Sequence, residues 1–74
     1  MSKLPVASAQ SVIKALARIG YEFDHQRGSH IVLRQSTVPY RRVTIPNHKE
    51  IARGTLRSII REVGLTVDEL VDLL

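Results

Sequence analysis

Hydrophobic residues recur along the chain first with a helical spacing, then with a strand-like alternation, and then with a helical spacing again. In the N-terminal part, four apolar residues share one helical face: Val12, Ile13, Leu16 and Ala17. Ser8 or Ser11 can cap this helix, which is expected to run to Ile19. Gly20 follows and is typical of the position that ends a helix. The first predicted element is therefore an amphipathic helix.

Three segments in the middle of the chain alternate apolar and polar residues, which predicts an antiparallel sheet of strands 21–25, 29–34 and 42–45. The turn between the first two strands is expected at Gly28, and residues 37–40 form the loop before the third. The face expected to be buried carries Tyr21, Phe23, Ile31, Leu33, Val43 and Ile45. The open face carries Glu22, Asp24, His30, Val32, Arg34, Arg42 and Thr44.

The C-terminal part returns to a helical spacing. A helix is predicted from residues 54–55 to Val63, with an apolar stripe of Leu56, Ile59, Ile60 and Val63. Thr66 and Glu69 have the spacing of a capping box, which opens a short last helix. From that helix, Leu70, Val71 and Leu74 are expected to pack on the core. Residues 1–74 are thus predicted to form one α+β domain of order α-β-β-β-α-α, with helices on one face of a three-stranded antiparallel sheet.

Charge is unevenly distributed along the chain, whose formal net charge is +4. Residues 27–61 carry eight arginines and lysines against one glutamate, whereas residues 62–74 carry four acidic residues and no basic one. A basic middle part favours a polyanionic partner. The chain has no cysteine and no apolar run long enough to cross a membrane, which favours a cytoplasmic protein.

The most informative stretch is Gly28-Ser29-His30. Gly28 can adopt the positive φ of a tight turn, and His30 then opens the second strand on the open face. Histidine exchanges protons near neutral pH, and RNA carries its own nucleophile, the 2′-hydroxyl. We therefore treat His30 as a candidate general acid or base for RNA cleavage without a metal ion. The alternative is a surface histidine without a catalytic role.

The other two histidines are expected to play different parts. His25 falls on the register of the buried face with Tyr21 and Phe23, which favours a structural role. His48 follows Pro46 and is expected to approach either RNA or the sheet edge. The histidines lack the spacing of a metal site and no cysteine could complete one, so neither a metal nor another cofactor is predicted.

A line of cations runs along the predicted second helix, opposite its apolar stripe: Arg53, Arg57 and Arg61, extended by Lys49. Cations near a helix N-terminus favour phosphate binding, although exposed arginines at this spacing also occur without a function. Two of the three aromatic residues are expected to be buried, so recognition of RNA backbone and shape is favoured over base stacking. The candidate RNA-binding residues are Arg27, Gly28, Ser29, Arg34, His48, Lys49, Arg53, Arg57 and Arg61.

Taken together, these motifs resemble the HicA family of bacterial toxins, small ribonucleases of type II toxin–antitoxin systems. The resemblance extends from residue 6 to residue 74. Its carriers are Ile13-Lys14-Ala15-Leu16, Gly20-Tyr21, Gly28-Ser29-His30, Val43-Thr44-Ile45-Pro46 with His48, and Gly54-Thr55-Leu56-Arg57-Ser58-Ile59. It implies a fold like that of double-stranded-RNA-binding domains, mRNA cleavage by His30, and neutralisation by a HicB antitoxin that covers the active face. Asn47 departs from the basic residue that many members carry there.

Two other functions use the same residues. A non-catalytic double-stranded-RNA-binding module would have the same fold and the same arginines, with His30 as a surface residue. A protein-interaction domain would present its basic face to an acidic partner. The second of these is compatible with a toxin, since toxins of the HicA family contact both RNA and an antitoxin.

Overall fold

The computed structural model describes residues 3–74, and its elements follow the predicted order. They are α1 (Ala9–Ala17), β1 (Tyr21–Arg27), β2 (His30–Gln35), β3 (Arg42–Pro46), α2 (Arg53–Val63) and α3 (Val67–Leu73). The strands form an antiparallel sheet in the order β1-β2-β3. Helix α1 packs on β1 and β3, α2 packs on β3, and α3 contacts α1. The predicted α+β fold is confirmed.

The core lies between the sheet and the helices and is wholly apolar. Its largest fully buried side chains are Leu16, Leu33, Ile45, Leu56, Ile59, Leu70, Val12 and Val43. Among residues 3–74, no polar or charged side chain is buried. Every histidine and every charged side chain in this part of the chain is therefore at least partly open to solvent.

Helix α1 begins at a reciprocal cap that uses both predicted serines. The Ser8 hydroxyl accepts a hydrogen bond from the Ser11 N–H at 3.1 Å, and the Ser11 hydroxyl accepts one from the Ser8 N–H at 3.1 Å. The helix ends at Ala17, two residues before the predicted end, because the chain turns toward Gly20, whose φ is +97°. Ala17 is exposed rather than part of the apolar stripe.

The last helix packs through fewer residues than predicted. Leu70 is fully buried and Leu73 packs against the core, but Val71 and Leu74 are 43% and 44% exposed. Val71 is rotated by about 100° from Leu70 around the helix, and Leu74 lies beyond Leu73, the last residue of α3. The expectation that Val71 and Leu74 pack on the core was therefore wrong.

The N-terminal segment contributes to the core in a way that its sequence did not indicate. Leu4 and Ala7 are buried, as is Ile51 in the loop before α2. The Ile51 N–H donates to the Ala7 carbonyl at 2.9 Å, and the Ala9 N–H donates to the His48 carbonyl at 2.9 Å. The segment before α1 thus lies along residues 48–51 and holds that loop against the domain.

Two predictions for strand β1 are wrong, one because of a register shift and the other because β1 is an edge strand. Phe23 pairs with Leu33, but the next paired residue, His25, pairs with Val32 on the open face. An extra residue in one strand reverses the alternation of side chains beyond it, so His25 is exposed on the open face and not on the buried one. Phe23 is 63% exposed because β1 is an edge strand and the helices cover only Tyr21 at its start.

Candidate functional site

The turn between β1 and β2 sets the position of His30. Gly28 has a φ of +58°, as the tight turn requires, and the Gln26 side-chain amide donates to the Gly28 carbonyl at 2.9 Å. The Ser29 carbonyl accepts a hydrogen bond from the Asn47 N–H, which ties the turn to the end of β3. His30 therefore follows a turn that is held by one hydrogen bond from β1 and by another from the residue after β3.

His30 is exposed at the first position of β2 and lines a groove of about 330 Å³, which we call the histidine groove. Its lining residues are His30, Thr44, Pro46, His48, Ala52 and Thr55. They come from β2, β3, the following loop and the first turn of α2. The sequence placed His30 and His48 in separate elements, and the fold brings both to one groove.

One wall of the histidine groove is the N-terminus of α2. Ala52 is the N-cap residue of α2, and no side chain hydrogen-bonds to this end of the helix. The structure describes every residue of the first turn, and none of them is acidic. The first backbone N–H groups of a helix lack intrahelical partners and carry a partial positive charge. This end of the groove therefore favours an anionic group.

Five of the other predicted RNA-binding residues are neighbours, along the chain or in strand register, of residues that line this groove. Arg27 is the cross-strand partner of His30, Gly28 and Ser29 form the turn, and Lys49 and Arg53 flank the loop before α2; all are exposed. Arg34 lies at the other end of β2, where its guanidinium carbon is 5.0 Å from the centroid of the Tyr40 ring. Tyr40 is 46% exposed, as is typical of a loop residue, and the exposure of Phe23 leaves Tyr21 as the one buried aromatic residue of three instead of the predicted two.

Two of the predicted arginines line a different groove. Arg57 and Arg61 border a groove of about 320 Å³, the arginine groove, together with Ile60, Leu65, Thr66 and Val67. Successive helix residues are rotated by about 100°, which puts Thr55 and Arg57 about 200° apart around α2. The arginine line therefore does not share the histidine groove, although Arg53 lies in the first turn next to it.

A cluster that the sequence analysis missed lies on the open face at the register shift. Asp24 accepts hydrogen bonds from His25 Nδ1 at 2.9 Å and from Arg42 Nε at 3.3 Å. The hydrogen bond from His25, followed by that from Arg42, lowers the pKa of Asp24 below its ordinary value of 3.8. The alternation pattern concealed this cluster because it assigned His25 to the buried face.

We expect Asp24→Asn to destabilise the protein near neutral pH and to have a smaller effect in acid. The folded-state pKa of Asp24 is lowered, so its ionised form stabilises the fold above pH 3.8 and this contribution is lost as the pH falls through the folded-state value. Urea unfolding of both proteins at about pH 7 and about pH 3 measures this difference. A stability difference of the same size at the two pH values would contradict the assignment.

Among residues 3–74, no group of three or more histidine, cysteine or carboxylate side chains converges as metal ligands would. None of the helices in this range is long and apolar enough to span a bilayer.

Comparison with known proteins gives one clear relationship. Residues 9–65 match the sequence model of a family described as "HicA toxin of bacterial toxin-antitoxin". This range covers most of the 74 residues and includes the β1–β2 turn, both histidines of the histidine groove and all of α2. No curated protein matches the chain.

Proposed function

Because the chain belongs to the HicA family of toxins of bacterial toxin–antitoxin systems, we propose that it is an endoribonuclease that cleaves mRNA in the cytoplasm, with His30 as a general acid or base. The observation that carries the proposal is the exposed position of His30 in a groove whose other wall is the uncapped first turn of α2. A proton-transfer group and an anion-binding helix end thus face the same space, as cleavage of a phosphodiester requires.

The chemistry follows from the substrate. The RNA 2′-oxygen attacks the neighbouring phosphorus, the bond from phosphorus to the 5′-oxygen breaks, and the products are a 2′,3′-cyclic phosphate and a 5′-hydroxyl. His30 moves a proton from the attacking oxygen or to the leaving one. The N–H groups of the first turn of α2 stabilise the negative charge that develops on the phosphoryl oxygens. RNA supplies the nucleophile, so this route needs no metal ion.

Cations around the histidine groove are proposed to bind the RNA backbone on either side of the scissile phosphate. Arg27, the backbone of Gly28 and Ser29, Lys49 and Arg53 are neighbours of lining residues along the chain or in strand register, and Arg34 extends the basic surface along β2. The arginine groove lies on another side of α2, so we assign Arg57 and Arg61 to phosphates farther along the strand. Such contacts make binding depend strongly on salt.

Incubation of the purified protein with RNA in excess EDTA tests the proposal. We expect cleavage to proceed and each upstream product to end in a 2′,3′-cyclic phosphate, detectable by mass spectrometry. An RNA with a single 2′-deoxy substitution at the cleavage position should stay intact there, because its nucleophile is missing.

Salt-sensitive binding of duplex RNA without any product would contradict the ribonuclease proposal and identify a non-catalytic RNA-binding module instead. Membership of the family also implies an antitoxin partner. We propose that this partner is a HicB-type antitoxin and that it covers the histidine groove.

A further inference from the structure

His48 is held in the histidine groove by its backbone. Its N–H donates to the Pro46 carbonyl at 2.8 Å, and its carbonyl accepts from the Ala9 N–H at 2.9 Å. The preceding residue, Asn47, donates to the Ser29 carbonyl of the β1–β2 turn. One of these backbone hydrogen bonds joins the loop that carries His48 to the turn that precedes His30, and another joins the loop to the start of α1, while the His48 side chain remains exposed.

His30 and His48 line the same groove from different elements. His30 opens β2 and is the register partner of Pro46, and His48 follows Pro46 by two residues. The groove that both line has a volume of about 330 Å³, which lies within the range of small-ligand sites of roughly 300–1,000 Å³. One phosphodiester with its adjoining sugars is the group that two histidines in such a space would handle.

We propose that His48 is a second catalytic residue and that His30 and His48 act on one phosphodiester as an acid–base pair. The inference rests on the ribonuclease activity proposed above and deepens it. A single histidine would have to receive one proton and deliver another in the same step, or leave one transfer to water. Two histidines in opposite protonation states perform both transfers in one passage through the transition state.

Each histidine moves one proton in the proposed step. One imidazole, in its neutral form, takes the proton of the 2′-hydroxyl while the bond from the 2′-oxygen to phosphorus forms. The other, as imidazolium, gives its proton to the 5′-oxygen while the bond from phosphorus to that oxygen breaks. The enzyme ends with the two protonation states exchanged, and water restores them.

The surroundings of the pair contain few other groups that titrate near neutral pH. The remaining lining residues of the histidine groove are Thr44, Pro46, Ala52 and Thr55. The charged residues on the strands, on α2 and on the loop of residues 47–52 lie outside this lining, and they are Glu22, Asp24, Arg27, Arg34, Arg42, Lys49, Glu50, Arg53, Arg57, Arg61 and Glu62. Because the reaction needs one protonated and one neutral histidine, kcat/KM is expected to show a bell-shaped dependence on pH, with an acidic and a basic limb.

The test compares pH profiles of kcat/KM for the wild type, His48→Ala and His25→Ala on a short RNA cleaved at one position. His25 is the matched control, since it is an exposed histidine of the same sheet that does not line the histidine groove. We expect His48→Ala to lower kcat/KM by about 10²–10⁴-fold and to remove one limb of the bell. His25→Ala should keep both the rate and the shape, and circular dichroism should show that both variants are folded.

A second substrate separates catalysis from positioning. In an RNA whose leaving 5′-oxygen is replaced by sulfur, the leaving group departs without a proton, because a thiolate is a far weaker base than an alkoxide. The variant that lacks the acid should recover its rate on this substrate, and the variant that lacks the base should not. Rescue of exactly one variant of the pair, His30→Ala or His48→Ala, is therefore expected, and rescue of neither would overturn the proposal.

The outcome also distinguishes this inference from the activity on which it rests. A wild-type protein that cleaves no RNA would refute the proposed function itself. A wild-type protein that cleaves RNA, with a His48→Ala variant of equal rate and unchanged pH profile, would refute only the role of His48.

Discussion

Replacement of His30 by alanine is expected to reduce RNA cleavage by about 10²–10⁴-fold, the range typical of the loss of a general acid or base. The side chain is exposed at the start of β2 and contributes nothing to the apolar core, so the variant should fold normally. Single-turnover cleavage of the same short RNA by wild type and variant measures the effect, and thermal unfolding confirms that the variant is intact.

The control for this variant is again His25→Ala, which removes an exposed histidine from the same face of the sheet without touching the histidine groove. Purified side by side, the three proteins also reveal a contaminating ribonuclease, because contamination would not follow the substitution. Cleavage by His30→Ala at the wild-type rate would remove His30 from the mechanism.

The largest expected effect on stability comes from Leu56→Ala. Leu56 is fully buried on α2, and truncation of a buried leucine costs about 2–5 kcal/mol. A domain of this size has a free energy of unfolding of roughly 4–11 kcal/mol, so the variant should lose a large part of it. Urea unfolding followed by circular dichroism measures the change.

This variant also tests how the histidine groove is built, because Leu56 anchors the helix whose first turn forms one wall. Ser58→Ala, an exposed substitution on the same helix, should change stability by no more than about 0.5 kcal/mol. A loss of less than about 1 kcal/mol in Leu56→Ala would show that α2 is held by other contacts.

Hydrophobic periodicity predicted the helices and strands well, because each of them buries one face and repeats apolar residues at the spacing of that face. The apolar stripe of α2 and the capping box of Thr66 and Glu69 both stand where the sequence indicated. The turn at Gly28 and the exposed His30 were also predicted, since a positive φ and strict alternation are local properties.

The errors arose where a non-local feature changes a local pattern. One extra residue in β1 shifts His25 to the open face, and nothing in the sequence of this strand distinguishes a bulge from regular alternation. Phe23 is exposed because no helix covers its end of the edge strand. Which residues face each other across the histidine groove depends on the position of α2, and the spacing of Arg57 and Arg61 does not reveal that they line a separate groove.

The backbone bonds between the N-terminal segment and the loop of His48 have a consequence for folding. Each of them, from Ala9 to His48 and from Ile51 to Ala7, joins residues about 40 positions apart, so both require closure of a long loop with its entropic cost. One wall of the histidine groove is formed by the start of α2, so the groove also requires that helix. A chain emerging from the ribosome therefore has no complete site until α2 has been synthesised and the N-terminal segment has closed onto the loop.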